Sequence, residues 1–320
     1  MDEGLIRVGG RRLAYCTYGP AEGLPVFLFH GWGECRLTVP PDVSVIEELG
    51  IRLITIDRPG VGRSDPEPGR MLLHWPPNVE AVADHLAISS FAVVGRSAGA
   101  AYAAACAFSL PHRVMSATLI SGVGPPSTGA WKLLATSDFR KLIFWLRLVP
   151  PLARPTLWLG VRLIRPHVRR LLDRHIAGLP AADQQVLGDG AMHAMRVSSL
   201  QEAFCQAEVG IYHDALLLAR DWGFDPAAIS TPVRIWHGES DTIVNVEFGR
   251  RLATAIRHSR SSFTADAGHY LMFTHWRQIL EAVVEDSRAE HVAANGRGTA
   301  SPARRDEVEL PRVPDLTSGP

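Results

Sequence analysis

The chain has little with which to build a disulfide or a metal site. Its 320 residues include four cysteines, Cys16, Cys35, Cys106 and Cys205, widely spaced and without a C-x-x-C pair. That spacing argues against a zinc ribbon or a thioredoxin-like site and suits a reducing compartment. H-E-x-x-H and G-x-x-x-x-G-K-[ST] are both missing, which removes the usual zinc-peptidase and P-loop readings. Gly60-Val61-Gly62 is a fragment of a dinucleotide fingerprint without its remainder. Net charge is lacking as well: 33 Lys and Arg balance 33 Asp and Glu, so the global field gives no reason to expect a nucleic-acid partner. Long apolar runs are also missing. The opening MDEGLIRVGGRR has no secretory h-region, and the apolar stretch at residues 142–152 is cut by Arg147 and prolines well short of a membrane span. Together these absences predict a cytoplasmic protein, with the oligomeric state left open.

Apolar residues make up 46% of the chain, enough for a substantial core. Over residues 26–120 the runs PVFLFH, IRLITID, FAVVG and VMSATLI read as buried strands, nearly continuous in apolar residues. Segments with helical spacing separate them, at residues 79–86 and 98–110. That alternation implies a parallel sheet covered on both faces. Ahead of it, IRVGGRRLAYCTYG predicts a hairpin turning at Gly9-Gly10. After Ser121 the rhythm changes. Residues 131–222 show no strand run, only amphipathic stretches broken by Pro150-Pro151, Pro155, Pro166 and Pro180. TPVRIWHGESD and SSFTADAGHY then resume the β pattern around a helix at residues 247–257. The expected organisation is a first half of an α/β core (1–124), a helical insertion (125–225), a second half (226–286) and a disordered tail (287–320).

Gly95-Arg96-Ser97-Ala98-Gly99 follows the strand FAVVG and opens the helix AGAAYAAACAF. A G-x-S-x-G element in that strand–turn–helix setting holds its serine in a tight, strained turn with the hydroxyl above the sheet. It makes Ser97 the candidate nucleophile. Gly95 and Gly99 supply the room, and the Ala98 N–H at the helix start faces a developing oxyanion. A second donor is expected after PVFLF, where His30-Gly31-Trp32-Gly33 lies. The Trp32 N–H is the candidate, with Gly31 allowing close approach and His30 bracing the loop. A plain turn after a strand is the bland reading of both motifs.

A serine hydroxyl needs a base, and thirteen histidines compete. His269 follows SSFTAD and the turn Ala267-Gly268 near the end of the core, and is the candidate. His237 reads as a strand-end structural residue, and His74, His85, His112, His167 and His175 as solvated or capping groups. The base needs a carboxylate to fix its tautomer. Asp241, just after PVRIWHG, is the candidate acid; Asp266 is the rival nearest in sequence.

Taken in order, His30-Gly31, Ser97, Asp241 and His269 resemble an α/β-hydrolase-fold enzyme, whose chain order is nucleophile, acid, histidine. The resemblance covers residues 6–286. DRPGVGRSDP, GRSAGA, DWGFDPAAI and WHGESD are similar to hydrolases grouped near prolyl iminopeptidase-like proteins. It implies a Ser-His-Asp enzyme with a helical cap, no metal and no organic cofactor, and structural roles for Asp57 and Arg58. GRSAG departs from the GGSWG usual in prolyl iminopeptidases, and Ser97 stands where dehalogenases and epoxide hydrolases carry Asp. Arg96 either pairs with a carboxylate or marks an anionic substrate group.

The expected chemistry is two-step acyl transfer, with a carboxylic ester as the substrate class. Rivals are an acyltransferase, thioesterase or cyclase using the same triad, and a non-catalytic ligand-binding homologue. Residues 132–174 carry ten basic residues against Asp138 and Asp173. Either the acids later in the insertion neutralise them, or they face an anionic carrier or membrane surface.

Overall fold

The computed structural model describes residues 1–128 and 150–298. Strands β1 (Asp2–Val8) and β2 (Arg11–Tyr18) form the antiparallel hairpin, with positive φ at both Gly9 and Gly10. Only glycine takes that conformation twice in succession without steric cost. β2 also pairs antiparallel with β4 (Ile51–Ile56). Beyond it every pairing is parallel, through β3 (Leu24–Phe29), β5 (Phe91–Arg96), β6 (Val114–Ile120), β7 (Val233–Gly238) and β8 (Ser259–Thr264). The order across the sheet is β1-β2-β4-β3-β5-β6-β7-β8.

Helices cover both faces, which is why the central strands are apolar without alternation. Phe27 and Phe29 point to one side, packed with α2 (Trp75–His85) and α3 (Gly99–Ser109). Val26 and Leu28 point to the other, against α1 (Ser44–Glu48) and the long C-terminal helix. Chain order reverses around β3: β4 lies on one side of it and β5 on the other. The carboxyl ends of β3 and β5 therefore flank a crevice, the place where open α/β sheets bind ligands.

Between β6 and β7 the described residues form helices and no strand. The α-helices are α4 (Pro150–Ile164), α5 (Val168–Ala177), α6 (Ala181–Gly188), α7 (Gly190–Ala203) and α8 (Val209–Leu218). Residues 129–149 fall outside the described part. Pro180 caps α6 and Pro166 lies in the 3₁₀ turn between α4 and α5, as breakers should. Pro155 differs from expectation, since α4 continues through it. As the sixth residue it lies past the four unpaired donors of the first turn, so the helix goes without one internal hydrogen bond there.

The second half of the core adds α9 (Glu247–Ala255), α10 (Leu271–Thr274) and α11 (Trp276–Gly298). Here the expected boundary at Ser287 needs correction. α11 runs past it to Gly298, and Ser287 itself is buried, its Oγ 3.1 Å from Ser116 Oγ on β6. Ile279, Leu280 and Val283 anchor the helix on the sheet. Once nucleated by that burial, a helix propagates through SRAEHVAAN at little cost, although the segment has no apolar period of its own. Residues 299–320 fall outside the described part. No described helix is long and apolar enough to cross a membrane.

Candidate active site

Ser97 follows the last residue of β5 and has φ +54°, a region L-residues seldom enter. Its N–H donates to Ile120 O (2.8 Å) on β6 and its C=O accepts from Ala100 N (3.1 Å), so sheet and helix both fix the strained turn. The flanking glycines follow from space. A Cβ at Gly95 would lie 2.2 Å from Gly99 O, and one at Gly99 would lie 2.1 Å from Phe29 O. Ser97 remains 9% exposed, while Ala98 behind it is buried at the start of α3.

Asp241 and His269 come from the loops after β7 and β8. These loops touch backbone to backbone: Glu239 N donates to Thr264 O (2.9 Å) and Ser240 N to Ala267 O (3.0 Å). A Cβ at Gly238 would meet Ala267 O at 2.2 Å. The result is a His269 Nδ1–Asp241 Oδ2 hydrogen bond of 2.8 Å. The other carboxylate oxygen accepts from Ile243 N and Val244 N, both at 2.8 Å. Burial works against ionising Asp241, but His269 and then His237 outweigh it and hold its carboxyl well below the usual range. His237 Nε2 lies 2.8 Å from Val244 O and 3.4 Å from Asp241 Oδ2, so this strand-end histidine braces the acid. Asp266 is exposed and makes no hydrogen bond to His269. His74, His85, His112, His167 and His175 are all exposed.

No hydrogen bond joins Ser97 to His269 among the described residues. Their loops meet through neighbours instead, the Arg96 guanidinium stacking 5.1 Å from the centroid of the Tyr270 ring.

The loop after β3 is held from several sides. His30 Nδ1–H donates to Gly31 O (3.0 Å), and Nε2 accepts from Arg58 N (3.4 Å). Burial, and after it the Arg58 charge, push His30 down to about 3, so it stays neutral and braces the turn. Arg58, from the loop after β4, also donates to the carbonyls of His30 and Gly31 and is tied to Asp214 of α8 at 2.7 Å. Gly31 N donates to Glu34 Oε2 (2.8 Å), and Trp32 Nε1 to Ile211 O of α8 (3.0 Å). The loop that bears Trp32 is thus tied down on both sides of it.

Arg96 resolves to the bland reading. It is buried and pairs with Glu34, as does Arg196 of α7. Burial opposes the Glu34 charge, yet Arg196 and then Arg96 hold its carboxyl down at about 2. Asp57 likewise pairs with the buried Arg36 (2.7 Å), giving the structural role expected of it.

Several contributors escape sequence reasoning. Glu34, Arg196, Asp214 and Asp183 all grip the candidate loops, three of them from the insertion. Apart from the Gly31–Glu34 bond, their contacts span large sequence separations, from 62 residues (Arg96–Glu34) to 162 (Arg196–Glu34). No local motif announces such pairs. The one available signal was buried-type charge: Arg and Asp placed amid apolar helical residues must find partners. A cavity of about 410 Å³ opens beside the His269 loop, lined by Asp183, Val186, Met192, Gly268, Tyr270 and Leu271 among others. Ser97 does not line it, so it is a crevice between insertion and core rather than an acyl pocket. No group of three or more His, Cys, Asp or Glu suited to a metal ion occurs among the described residues.

A family model described as the alpha/beta hydrolase fold matches residues 25–275. A non-heme chloroperoxidase of Streptomyces lividans is 33% identical over 118 residues, which is 36% of this chain and 43% of that protein. The chain thus spans less than half the length of this curated relative. A bromoperoxidase from Bacillus anthracis superposes with TM-score 0.66 at 22% identity, over 90% of this chain and 100% of that one. An esterase from Rhodococcus sp. ECU1013 gives TM-score 0.65 at 20% identity, over 88% and 97%. At these identities the two structures speak for the fold.

Proposed function

The chain belongs to the alpha/beta hydrolase fold family, and from that premise we propose that it is a serine hydrolase cleaving carboxylic esters through Ser97, His269 and Asp241. The observation that carries this reading is the 2.8 Å His269 Nδ1–Asp241 Oδ2 bond, taken with a serine at φ +54° in the turn after β5. Asp241 stays ionised because its carboxyl is held low. It fixes the Nδ1–H tautomer, so Nε2 presents a lone pair to the serine proton. Ser97 Oγ attacks the acyl carbon as that proton moves to Nε2. The N–H groups of Trp32 and Ala98 take the oxyanion, and their loops are preorganised by Arg58, Glu34 and the start of α3. The imidazolium then protonates the leaving alcohol. Water, deprotonated by the same histidine, releases the acid and restores Ser97.

The insertion acts as a cap over the carboxyl edge of the sheet, and its helices supply Ile211, Asp214 and Arg196 to the oxyanion loop. We place the enzyme in the cytoplasm, a reading supported by its four free thiols. A fluorophosphonate probe followed by a series of esters of increasing acyl length tests the assignment. Ser97→Ala should fold normally, lose probe labelling and lose turnover by roughly four to six orders of magnitude. Retained labelling in a clean preparation would remove Ser97 from the role. Product analysis with added alcohols and thiols separates hydrolysis from acyl transfer.

A further inference from the structure

Asp183 lies on α6 in the cap, 1% exposed and in no ion pair with a described residue. Its carboxylate accepts two consecutive backbone N–H groups of the opposite loop. Oδ2 takes His269 N at 2.9 Å and Oδ1 takes Tyr270 N at 3.0 Å. Room for it exists only because residue 268 is glycine: a Cβ there would lie 2.2 Å from Oδ2. A buried carboxylate is costly unless its lone pairs are filled, and here both fillers belong to the segment bearing the proposed base. The two bonds fix the peptide planes on either side of the His269 Cα. They thereby set the direction in which its imidazole leaves the backbone.

Resting on the Ser97–His269–Asp241 reading, we propose that Asp183 is a positioning residue by which the cap holds the base in register and sets a second buried negative charge behind it. Asp241 addresses the ring at Nδ1; Asp183 addresses the backbone of the same residue from the opposite domain. When the ring gains the serine proton it becomes cationic, and a fixed anion at its own main chain favours that state. The other charged or titratable groups in reach are Arg196 and His175 from the cap, His237 beside Asp241, and Arg96 over the Tyr270 ring. The chain therefore builds its active site only with the cap seated, because one of the supports of His269 is carried by α6.

Two substitutions test this, with every rate normalised to active sites titrated by the fluorophosphonate. Asp183→Asn keeps the volume but replaces one acceptor with an N–H₂ donor facing an N–H. Gly268→Ala keeps the carboxylate but pushes it away. In both, kcat and the labelling rate constant should fall roughly ten- to hundredfold with KM little changed. In Asp183→Asn the acid limb of the kcat/KM profile should also move to lower pH, because the imidazolium has lost an anion. A purely structural aspartate would lower the melting temperature and the titratable fraction, yet leave labelling rate and pH profile per active site as in the parent. That result in either folded variant overturns the proposal. Failure of the underlying triad reading shows separately, as turnover surviving in His269→Ala.

Discussion

His30 follows β3 inside the protein with one proton to place. It donates that proton from Nδ1 to Gly31 O and uses Nε2 as an acceptor for Arg58 N, a pattern only the neutral ring satisfies. Burial and the Arg58 charge hold it down to about 3, against an ordinary value near 6.5. The unfolded chain therefore binds a proton at this residue below about pH 6.5 that the folded chain refuses. The stability this group contributes is complete above that pH and declines as pH falls toward 3. Glu34, held at about 2 by Arg196 and Arg96 against burial, adds a loss of the same sign, but only below the ordinary carboxylate range. His175 and His213 are lowered by burial as well and share the upper part of the slope. Melting temperature followed by circular dichroism should stay level above neutrality and fall between roughly pH 6.5 and 5, before carboxylates titrate. His30→Asn should start lower but decline less in that window. An unchanged slope would place the proton uptake at the other histidines. That His30 braces rather than reacts was legible from its place after a strand; its clamp by Arg58 was not, because nothing in DRPGVG says which carbonyl the arginine reaches.

Elements were legible where burial gives them a period. PVFLFH and FAVVG are nearly continuous in apolar residues because helices cover both faces, and both form strands within a residue or two of expectation. α11 marks where that signal runs out. Its anchoring residues Ile279, Leu280, Val283 and Val284 recur with helical spacing and then stop, yet the helix continues to Gly298. A helix end is a balance of propagation against fraying, and apolar period is silent on it. The two portions of the segment should differ in value to the fold. A chain ending at Gly298 should melt within about 2 °C of the full chain, since a tail of that composition buries little. A chain ending at Glu281 loses Val283, Val284, the Ser287–Ser116 bond and the Arg234–Asp286 pair at 2.7 Å. Two buried valines alone are worth about 1.5–3 kcal/mol each, so a drop of roughly 5 to 15 °C, or insolubility, is expected. Scanning calorimetry of the two truncations decides it. Equal melting temperatures would mean the last turns of α11 contribute nothing to the core.

At the scale of the whole molecule the question is where the cap's charge goes. Of its ten early basic residues, Lys132, Arg140, Lys141 and Arg147 lie outside the described part, and Arg154 pairs with Glu208 (2.9 Å). The remaining five, Arg162, Arg165, Arg169, Arg170 and Arg174, are exposed and form no ion pair with a described residue. Glu208 thus neutralises one of them, while the other later acids make contacts elsewhere. Asp183 holds the His269 loop, Asp189 caps α7, Glu202 meets Arg36, and Asp214 meets Arg58 and Arg70. Asp221 and Asp225 accept backbone N–H groups of Ser127 and Ala227. Beside these arginines α4 exposes Leu152, Trp158, Leu159, Leu163 and Ile164, with Leu163 at 63%. Leu152, Leu159 and Leu163 share one helical face, opposite the buried Val161. We propose that this outward apolar ridge, flanked by arginines without an ion pair among the described residues, meets the boundary of an anionic bilayer, with leucines at acyl depth and guanidinium groups at the phosphates. Flotation with phosphatidylglycerol-rich vesicles should therefore capture the enzyme, and pure phosphatidylcholine should not. Each arginine near such a surface is worth about 1 kcal/mol. Replacing Arg165, Arg169 and Arg170 by Gln should then weaken capture by roughly a hundredfold, while turnover of a small neutral ester in solution holds steady. Added salt should weaken capture too, since attraction beyond a Debye length of about 8 Å is screened. No capture at low salt, or equal capture by both lipids, would reject the bilayer. Binding to an acidic carrier protein alone would give the patch to that partner instead.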